Sequence, residues 1–375
     1  MSLTLSAVRA SQETETRVAL VPKVLSSLSK SGLEILIESG AGQQAGFSDD
    51  AFGEAGARIV NEEEAWQSDI IALVTSPSDE EISRLQEKSA IVGFLQPLDD
   101  PKRISTLAER GVTALAMELV PRISRAQKMD ALSAMASLAG YKATLIAANH
   151  LPKFFPLLTT AAGTVRPANV TILGAGVAGL QAIATARRLG ARVWGYDIRE
   201  AAREEVKSLG AQFVELDLEI DDMQDEGGYA KALMAAKAEK QVELLVPHLA
   251  SSDVVITTAL IPGRAAPTLV SKEAVEAMKP GSVIVDLAAT TGGNCTLTVA
   301  DQVQIHNGVQ IFGPTNLPAT VPADASFLYA RTVSSMISEF MEDGEFETNF
   351  ENEIFKSACV CHGGQVVHER VLGLI

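Results

Sequence analysis

Gly174, Gly176 and Gly179, in the stretch TILGAGVAGLQAIATARRLGARVWGYD, form a G-x-G-x-x-G pattern between an apolar run and an amphipathic one. Glycines at this spacing suit a dinucleotide. Gly174 permits a tight turn, Gly176 lets a pyrophosphate reach the backbone, and Gly179 allows close packing of helix on strand. Val177 and Ala178 open the helix, whose first amides lack intrahelical acceptors and whose dipole favours an anion. A glycine pattern alone is a weak signal. Here Asp197 follows about twenty residues on, at the end of the next predicted strand, where an acid can accept from both ribose hydroxyls. That carboxylate would repel a 2′-phosphate, so NAD(H) is expected over NADP(H), with Arg199 close by as the one discordant charge. Thr257, Thr258, Ala259 and Leu260 end a further strand. Backbone groups there can hold a nicotinamide ring or serve the core, and spacing leaves both roles open.

The elements that must position these residues come in two alternating blocks. In the first half Leu33–Ile37, Ile70–Val74, Ala90–Leu95 and Val112–Met117 read as buried strands, with helices such as Val21–Lys30 and Pro101–Glu109 between them. Strand and helix in turn predict a parallel sheet covered on both faces. One long helix, Lys128–Asn149, then serves as a spacer. The second block runs through Val170–Leu173, Val177–Leu189, Arg192–Tyr196, Val254–Thr257 and Ser282–Leu287. A last amphipathic stretch, Ser326–Glu342, is expected to return the chain to the first domain, and the tail Asp343–Ile375 shows no strong pattern. The predicted fold is therefore α/β, with two Rossmann-like doubly wound domains joined by long helices. Residues 1–127 plus 325–375 form one domain and residues 128–324 the other. The acidic stretch between Glu215 and Ala230, which contains LDLEIDDMQDEGGY, is either a lid or a variable surface loop.

Composition narrows the classes of function. A length of 375 residues suits two domains, and 47% hydrophobic with 21% charged residues suits a folded chain. The net charge of −16 opposes nucleic acid and anionic lipid as direct partners. Cys295, Cys359 and Cys361 are odd in number, which predicts free thiols in a reducing compartment. Cys359 and Cys361 lie beside His362, but paired four-ligand clusters are absent and no metal is expected. No signal peptide is expected at the start. The most apolar stretch, Tyr141–Gly163, is interrupted by Lys142, His150, Lys153 and two prolines, so no direct membrane insertion is expected.

Several longer stretches carry a more specific resemblance. They are RVALVP from Arg17, MELVPRISRAQKMDALS from Met117 to Ser133, LAGY from Leu138, TAAGTVRPA from Thr160, TTALIPGRAAP from Thr257, MKPGSVIVDLA from Met278, and GGNC from Gly292. In these the chain resembles, over nearly its whole length, the NAD-binding component of proton-translocating transhydrogenases, which share their fold with alanine dehydrogenases. The resemblance implies that Arg122, Gln127, Asp130 and Ser133 form the loop beside the nicotinamide. Arg122 would donate to carboxamide or phosphate, Asp130 would fix its guanidinium, and Gln127 would bridge toward a second nucleotide. Without the resemblance this run reads as a solvated helix start. EGGYA is similar to the tip of the family's mobile loop, with Gly228 and Tyr229 closing over nucleotide. The resemblance further implies NAD(H) in a cleft between the two domains, a homodimer, and NADP(H) on a partner subunit. Membrane-spanning subunits would carry the protons and hold this chain in the cytoplasm, on the inner face of the membrane.

Chemistry separates this expectation from its nearest rival. Oxidising an amino acid needs proton transfers, and the related dehydrogenases place a lysine and a histidine in segments that here read VTSP and FLQP. Thr75 and Gln96 occupy those positions, and neither acts as a base near neutral pH. Thr290 stands where dehydrogenases carry an aspartate and transhydrogenases often carry an acid, so it departs from both. Arg17 is retained, and serves either a site or a structural ion pair. Direct hydride transfer between two nicotinamides requires alignment and a dry site, with no acid–base pair. The expected activity is that of a Re/Si-specific NAD(P)+ transhydrogenase working with its partner. The alternatives are an NAD-dependent alanine or amino-acid dehydrogenase and a non-catalytic NAD-binding sensor.

Overall fold

The computed structural model describes residues 2–217, 229–261 and 263–375, the side chains of 229–237 excepted. The chain divides into two units, residues 1–135 with 318–375, and residues 136–317. The divisions fall inside a long helix and just before another, rather than at 127/128 and 324/325.

The first unit is built on an eight-stranded sheet. Arg58–Val60, Glu34–Glu38, Thr4–Ala7, Ile70–Ala72, Ala90–Gly93 and Thr113–Ala116 lie side by side in that order, all parallel. In chain order this is 3-2-1-4-5-6, a doubly wound arrangement. Ile70–Ala72, Ala90–Gly93 and Thr113–Ala116 are buried at every position, which is why they read as continuous apolar runs. The central strand Thr4–Ala7 is absent from the sequence-based expectation. It has only four residues, and Thr4 and Ser6 blunt its apolar signal; the buried Ser6 hydroxyl donates to the Ala65 carbonyl at 2.7 Å.

The tail closes this sheet. Cys359–His362 pairs antiparallel with Thr113–Ala116 and turns back as Gln365–Val366. Its pieces, including the six-residue helix Glu353–Ala358, are too short to show a period. The preceding helix runs Pro322–Glu339, not Ser326–Glu342. Proline is preset for the first helical turn, and Met341–Glu342 leave the helix to pair with Glu345–Phe346. Tyr329 on this helix is fully buried, donates to the Leu73 carbonyl at 2.7 Å, and stacks on Phe94 at 5.1 Å.

The second unit carries a seven-stranded sheet in the order Gln212–Phe213, Arg192–Tyr196, Asn169–Leu173, Val254–Thr257, Val283–Asp286, Val309–Phe312 and Val303–His306. All pairs are parallel except the last. The strand order reverses at Asn169–Leu173, whose carboxyl end leads into Gly174. That is the position where doubly wound sheets bind ligands.

The long helix is Ala131–His150, preceded by a 3-10 turn over Ser124–Met129 rather than continuous from Lys128. It has the length and hydropathy to cross a membrane. Its Ala143 and Ala147, however, are fully buried in the second unit's core, and the Thr144 hydroxyl lies 3.3 Å from the Ala182 carbonyl. Within that unit Gly140 meets the first turn of helix Val177–Arg188 so closely that an added Cβ would stand 2.0 Å from the Ala178 carbonyl oxygen. Gly140→Ala is therefore expected to destabilise the protein by about 1–3 kcal/mol through overpacking. Gly176→Ala, where an added Cβ meets nothing within 4 Å, should leave stability within about 0.5 kcal/mol. Urea denaturation of both variants checks the contrast.

Candidate functional site

The three glycines of the turn are required for different reasons. Gly174 has φ +100°, and a Cβ there would stand 2.5 Å from Thr258 Oγ1. At Gly179 a Cβ would stand 1.8 Å from the Gly174 carbonyl oxygen. The protein's own packing demands both. Gly176 has an ordinary φ of −76° and open space where its Cβ would be. Internal packing gives no reason for glycine there, whereas a ligand against the backbone does. Gly176 also opens helix Val177–Arg188 with no side chain capping it, so the first-turn amides of Val177, Ala178 and Gly179 lack a side-chain cap beside the exposed Gly176 and Val177. A pyrophosphate fits this arrangement in charge and in space.

Asp197 stands at the end of the neighbouring strand and is tied to the same turn. Its Oδ2 accepts from the Ala175 amide at 2.7 Å. Its Oδ1 accepts from the Arg199 amide at 2.9 Å and from Arg199 Nε at 3.0 Å. Burial alone would push the carboxyl up, but the Arg199 side chain and the amides of Arg199 and Ala175 outweigh it and hold Asp197 below its ordinary range. It is an acceptor-only group at neutral pH.

The loops after the next two strands are tied together by their own hydrogen bonds. Of the two roles left open for this run, nicotinamide contact or core, the amides of Thr258 and Ala259 are engaged in the fold. Thr258 donates to Leu173 O at 2.8 Å, and Ala259 to Asn294 Oδ1 at 3.0 Å. Asn294 Nδ2 returns a bond to Ala259 O at 2.9 Å, and the Thr258 hydroxyl donates to Gly174 O at 3.0 Å. Thr258 and Ala259 are half-buried, and their backbone groups are paired internally. Leu260, 52% exposed, is the member of this run left facing outward. Thr257 is wholly buried and donates to Asp286 Oδ1 at 2.8 Å.

Asp286 and Asn294 organise this rim, and sequence reasoning missed both. The fully buried Asp286 carboxylate takes four hydrogen bonds, from Thr257 Oγ1, Thr298 Oγ1 and the amides of Ala288 and Cys295. An acid ending an otherwise apolar strand in VIVDLA was the available signal. Thr290 is exposed in the 3-10 turn Ala289–Thr291. Gly228 lies outside the described residues, as does most of the acidic segment, and Tyr229 begins helix Tyr229–Ala250.

In the first unit, the segment from Arg122 to Asp130 is pinned from below. Ala126 and Met129 are buried, Arg125 reaches Asn352 Oδ1 at 3.0 Å, and Lys128 pairs with Glu339 at 3.3 Å. Arg122 and Gln127 are exposed. Asp130 does not hold the Arg122 guanidinium. It caps helix Ala131–His150, accepting from the Ser133 amide at 2.8 Å and hydroxyl at 2.6 Å. An acid immediately before a helix satisfies first-turn amides directly, and Ser133 lies where its hydroxyl joins in.

Arg17 forms a buried, two-pronged ion pair with Glu15, at 2.7 Å and 2.6 Å. Thr75 is half-buried, and Gln96 is exposed with φ +52°. The Leu95 and Gln96 amides both donate to Glu118 Oε1, at 2.9 Å and 2.6 Å, while Glu118 Oε2 is enclosed without a partner. Burial pushes the Glu118 carboxyl up to about 7. Cys359 and Cys361 are buried strand residues whose thiols point to the Cys361 and Val112 carbonyls, and burial pushes both up to about 12. His362 Nδ1 is bonded to Thr113 Oγ1 at 3.0 Å. Among the described residues no three His, Cys, Asp or Glu side chains gather as metal ligands.

A doubly wound sheet with a glycine turn, uncapped helix amides and an ionised acid at the next strand defines a dinucleotide-binding α/β protein. Residues 7–139 match the family model described as alanine dehydrogenase/PNT, N-terminal domain, and residues 143–369 match alanine dehydrogenase/PNT, C-terminal domain. The chain belongs to the alanine dehydrogenase/PNT family. It is 42% identical over 370 residues to an alpha-subunit chain of the NAD(P) transhydrogenase of Rhodospirillum rubrum, covering 96% of each chain. The crystal structure of transhydrogenase from Sinorhizobium meliloti is similar with a TM-score of 0.86 and 39% identity, over 98% of this chain and 99% of that one. Alanine dehydrogenase 1 of Staphylococcus aureus is more distant, at 28% over 372 residues, 96% of this chain and 94% of that one.

The raised Glu118 carboxyl has a consequence for stability. A carboxyl whose folded value lies above its unfolded value stabilises the protein at low pH, and this contribution is lost as pH rises toward about 7. Glu118→Gln keeps an acceptor for both amides. Its stability relative to the parent is expected to rise by about 3 kcal/mol between about pH 4.5 and 8. A difference that stays constant in denaturation across that range would contradict the assignment.

Proposed function

We propose that this chain is the NAD(H)-binding component of a proton-translocating transhydrogenase, passing hydride directly between NAD(H) at the glycine turn and NADP(H) on a partner subunit. The observation that carries this is the open cradle at Gly176, beside uncapped amides and Asp197, in a family whose relatives at 42% and 39% identity bear the transhydrogenase name. Bound nicotinamide supplies the hydride. The chain's own groups bind and orient. The amides of Val177, Ala178 and Gly179 hold the pyrophosphate, and Asp197 accepts from the ribose. Arg122 and Gln127, exposed on a pinned turn, donate to the nucleotides, while Asp130 and Ser133 act by fixing the helix start behind them.

The amino-acid dehydrogenase alternative needs a titratable pair. Thr75 and Gln96 do not titrate usefully. Glu118 titrates near neutrality, but its oxygens are bonded to backbone or enclosed, so it cannot reach a substrate. Proton passage is assigned to membrane-spanning partner subunits, which would hold this chain on the cytoplasmic face.

The test is titration of the chain with NADH, followed by stopped-flow hydride transfer to an acetylpyridine analogue of NADP+ on a supplied partner. Tight NADH binding, transfer only with the partner, and no reduction of NAD+ by alanine are expected. Gly176→Val should fold but lose NADH affinity by at least about tenfold, since the side chain fills the cradle. Alanine oxidation would overturn the proposal in favour of a dehydrogenase, and binding without transfer would favour a sensor.

We further propose that the chain works as a homodimer through the hairpin Leu158–Thr160 and Gly163–Val165. All six of its residues are exposed, it forms a sheet of its own, and Phe154 and Leu157 beside it are 57% and 61% exposed. Isolated hairpins are marginal in water, and apolar exposure of this kind marks an interface. Phe154→Asp with Leu157→Asp is expected to convert dimer to monomer in sedimentation velocity. Unchanged sedimentation would place any interface elsewhere.

A further inference from the structure

Arg199 is the group whose position the proposed function leaves unexplained. It lies two residues beyond the ribose acid, with its side chain 55% exposed, and it does not point away from the site. Its Nε donates to Asp197 Oδ1 at 3.0 Å, and its Nη2 donates to Asp197 Oδ2 at 3.1 Å and to Ala175 O at 3.2 Å. The guanidinium therefore spans both the acid and the glycine turn, over the oxygens that a ribose would use. The next cation along, Arg203, is held elsewhere by Glu200 at 3.1 Å and Glu215 at 3.0 Å. An arginine beside the ribose position is the group that recognises a 2′-phosphate in NADP-binding sheets.

We infer that Asp197 and Arg199 form a single discriminating pair, in which the carboxylate selects NAD(H) both by repelling a 2′-phosphate and by disarming the arginine that would bind it. The inference rests on the proposed NAD(H) site and deepens it. Asp197 engages Nε and Nη2 along one edge of the guanidinium, a two-point geometry that neutralises its charge and fixes its plane. A 2′-phosphate arriving there meets a paired arginine and an adjacent anion. A ribose with free hydroxyls meets a carboxylate to which both hydroxyls can donate. The guanidinium is 55% exposed and the carboxylate 10%, so the ribose hydroxyls can take the guanidinium's place on the carboxylate as the arginine swings into water. NAD(H) binding would then turn Arg199 outward from Asp197, with Ala175 N–H and Arg199 N–H still holding the acid in place.

The pair predicts a non-additive pattern that repulsion alone does not. The chain and three variants, Asp197→Ser, Arg199→Ala and the double variant, would be titrated calorimetrically. The ligands are NADH, NADPH, 5′-AMP and adenosine 2′,5′-bisphosphate, and thermal melts report folding. Asp197→Ser should lose about tenfold in NADH affinity and gain at least about tenfold for NADPH and the bisphosphate. The double variant should lose that gain while keeping the weakened NADH binding. Arg199→Ala alone should bind NADH and 5′-AMP as well as the parent or a few-fold tighter, because the hydroxyls no longer displace a guanidinium.

If the double variant binds NADPH as tightly as Asp197→Ser, Arg199 has no part and the inference fails, while the NAD(H) site stands. If Asp197→Ser gains nothing for the bisphosphate, the inference fails in the same way. If the parent chain binds neither NADH nor 5′-AMP, the site itself is wrong and the pair's role falls with it.

Discussion

Helix Val177–Arg188 approaches its neighbours more closely than any side chain allows, and the second unit is organised around that contact. On one side Gly179 lies under the Gly174 carbonyl, and on the other Ala178 lies against Gly140 of the long helix. Interiors pack at crystal-like density, so each contact fixes the helix in position and direction. The consequence is functional. A helix clamped there has its amino end held at the reversal of strand order, where its unpaired amides are directed at whatever enters the cradle.

Around that clamp runs a set of buried hydrogen bonds that no ligand needs to complete. Asp286 gathers Thr257, Thr298 and two amides, Asn294 takes both backbone groups of Ala259, and Thr258 reaches back to Gly174. The loops that carry these residues, at this edge of the sheet, are thereby tied to one another. A buried carboxylate with four donors is tolerable where one with none is not, and the network rigidifies the rim on which binding depends. The first unit shows the contrasting case. Glu118 has one oxygen satisfied and the other stranded, and it answers by holding its proton more tightly.

Much of this is legible from residue order. Helix Pro101–Glu109 and strands Arg192–Tyr196 and Val254–Thr257 are expected at their full extent, because their apolar spacing and flanking turn residues agree. The short strand Thr4–Ala7 and the tail strand Cys359–His362 are not. Each is stabilised by partners far away in sequence, and four residues carry no measurable period. Asp130, expected to fix the Arg122 guanidinium, instead caps a helix together with Ser133. A site role and a cap call for the same residue types, and only the dihedral path of the chain distinguishes them.

By itself, the sequence determined that two doubly wound α/β blocks exist, that one carries a dinucleotide turn with an acid at the next strand, and that Thr75 and Gln96 cannot do acid–base work. These follow from local periodicity, from glycine's freedom and from side-chain chemistry, none of which needs coordinates. Tertiary structure alone decided which glycine is left for a ligand, because that depends on which neighbouring atoms fill the space of an absent Cβ. It likewise decided that Asp197 meets Arg199 and that Ala259 is closed by Asn294. Hydrogen bonds are won within a few tenths of an ångström, and that proximity is created by the fold.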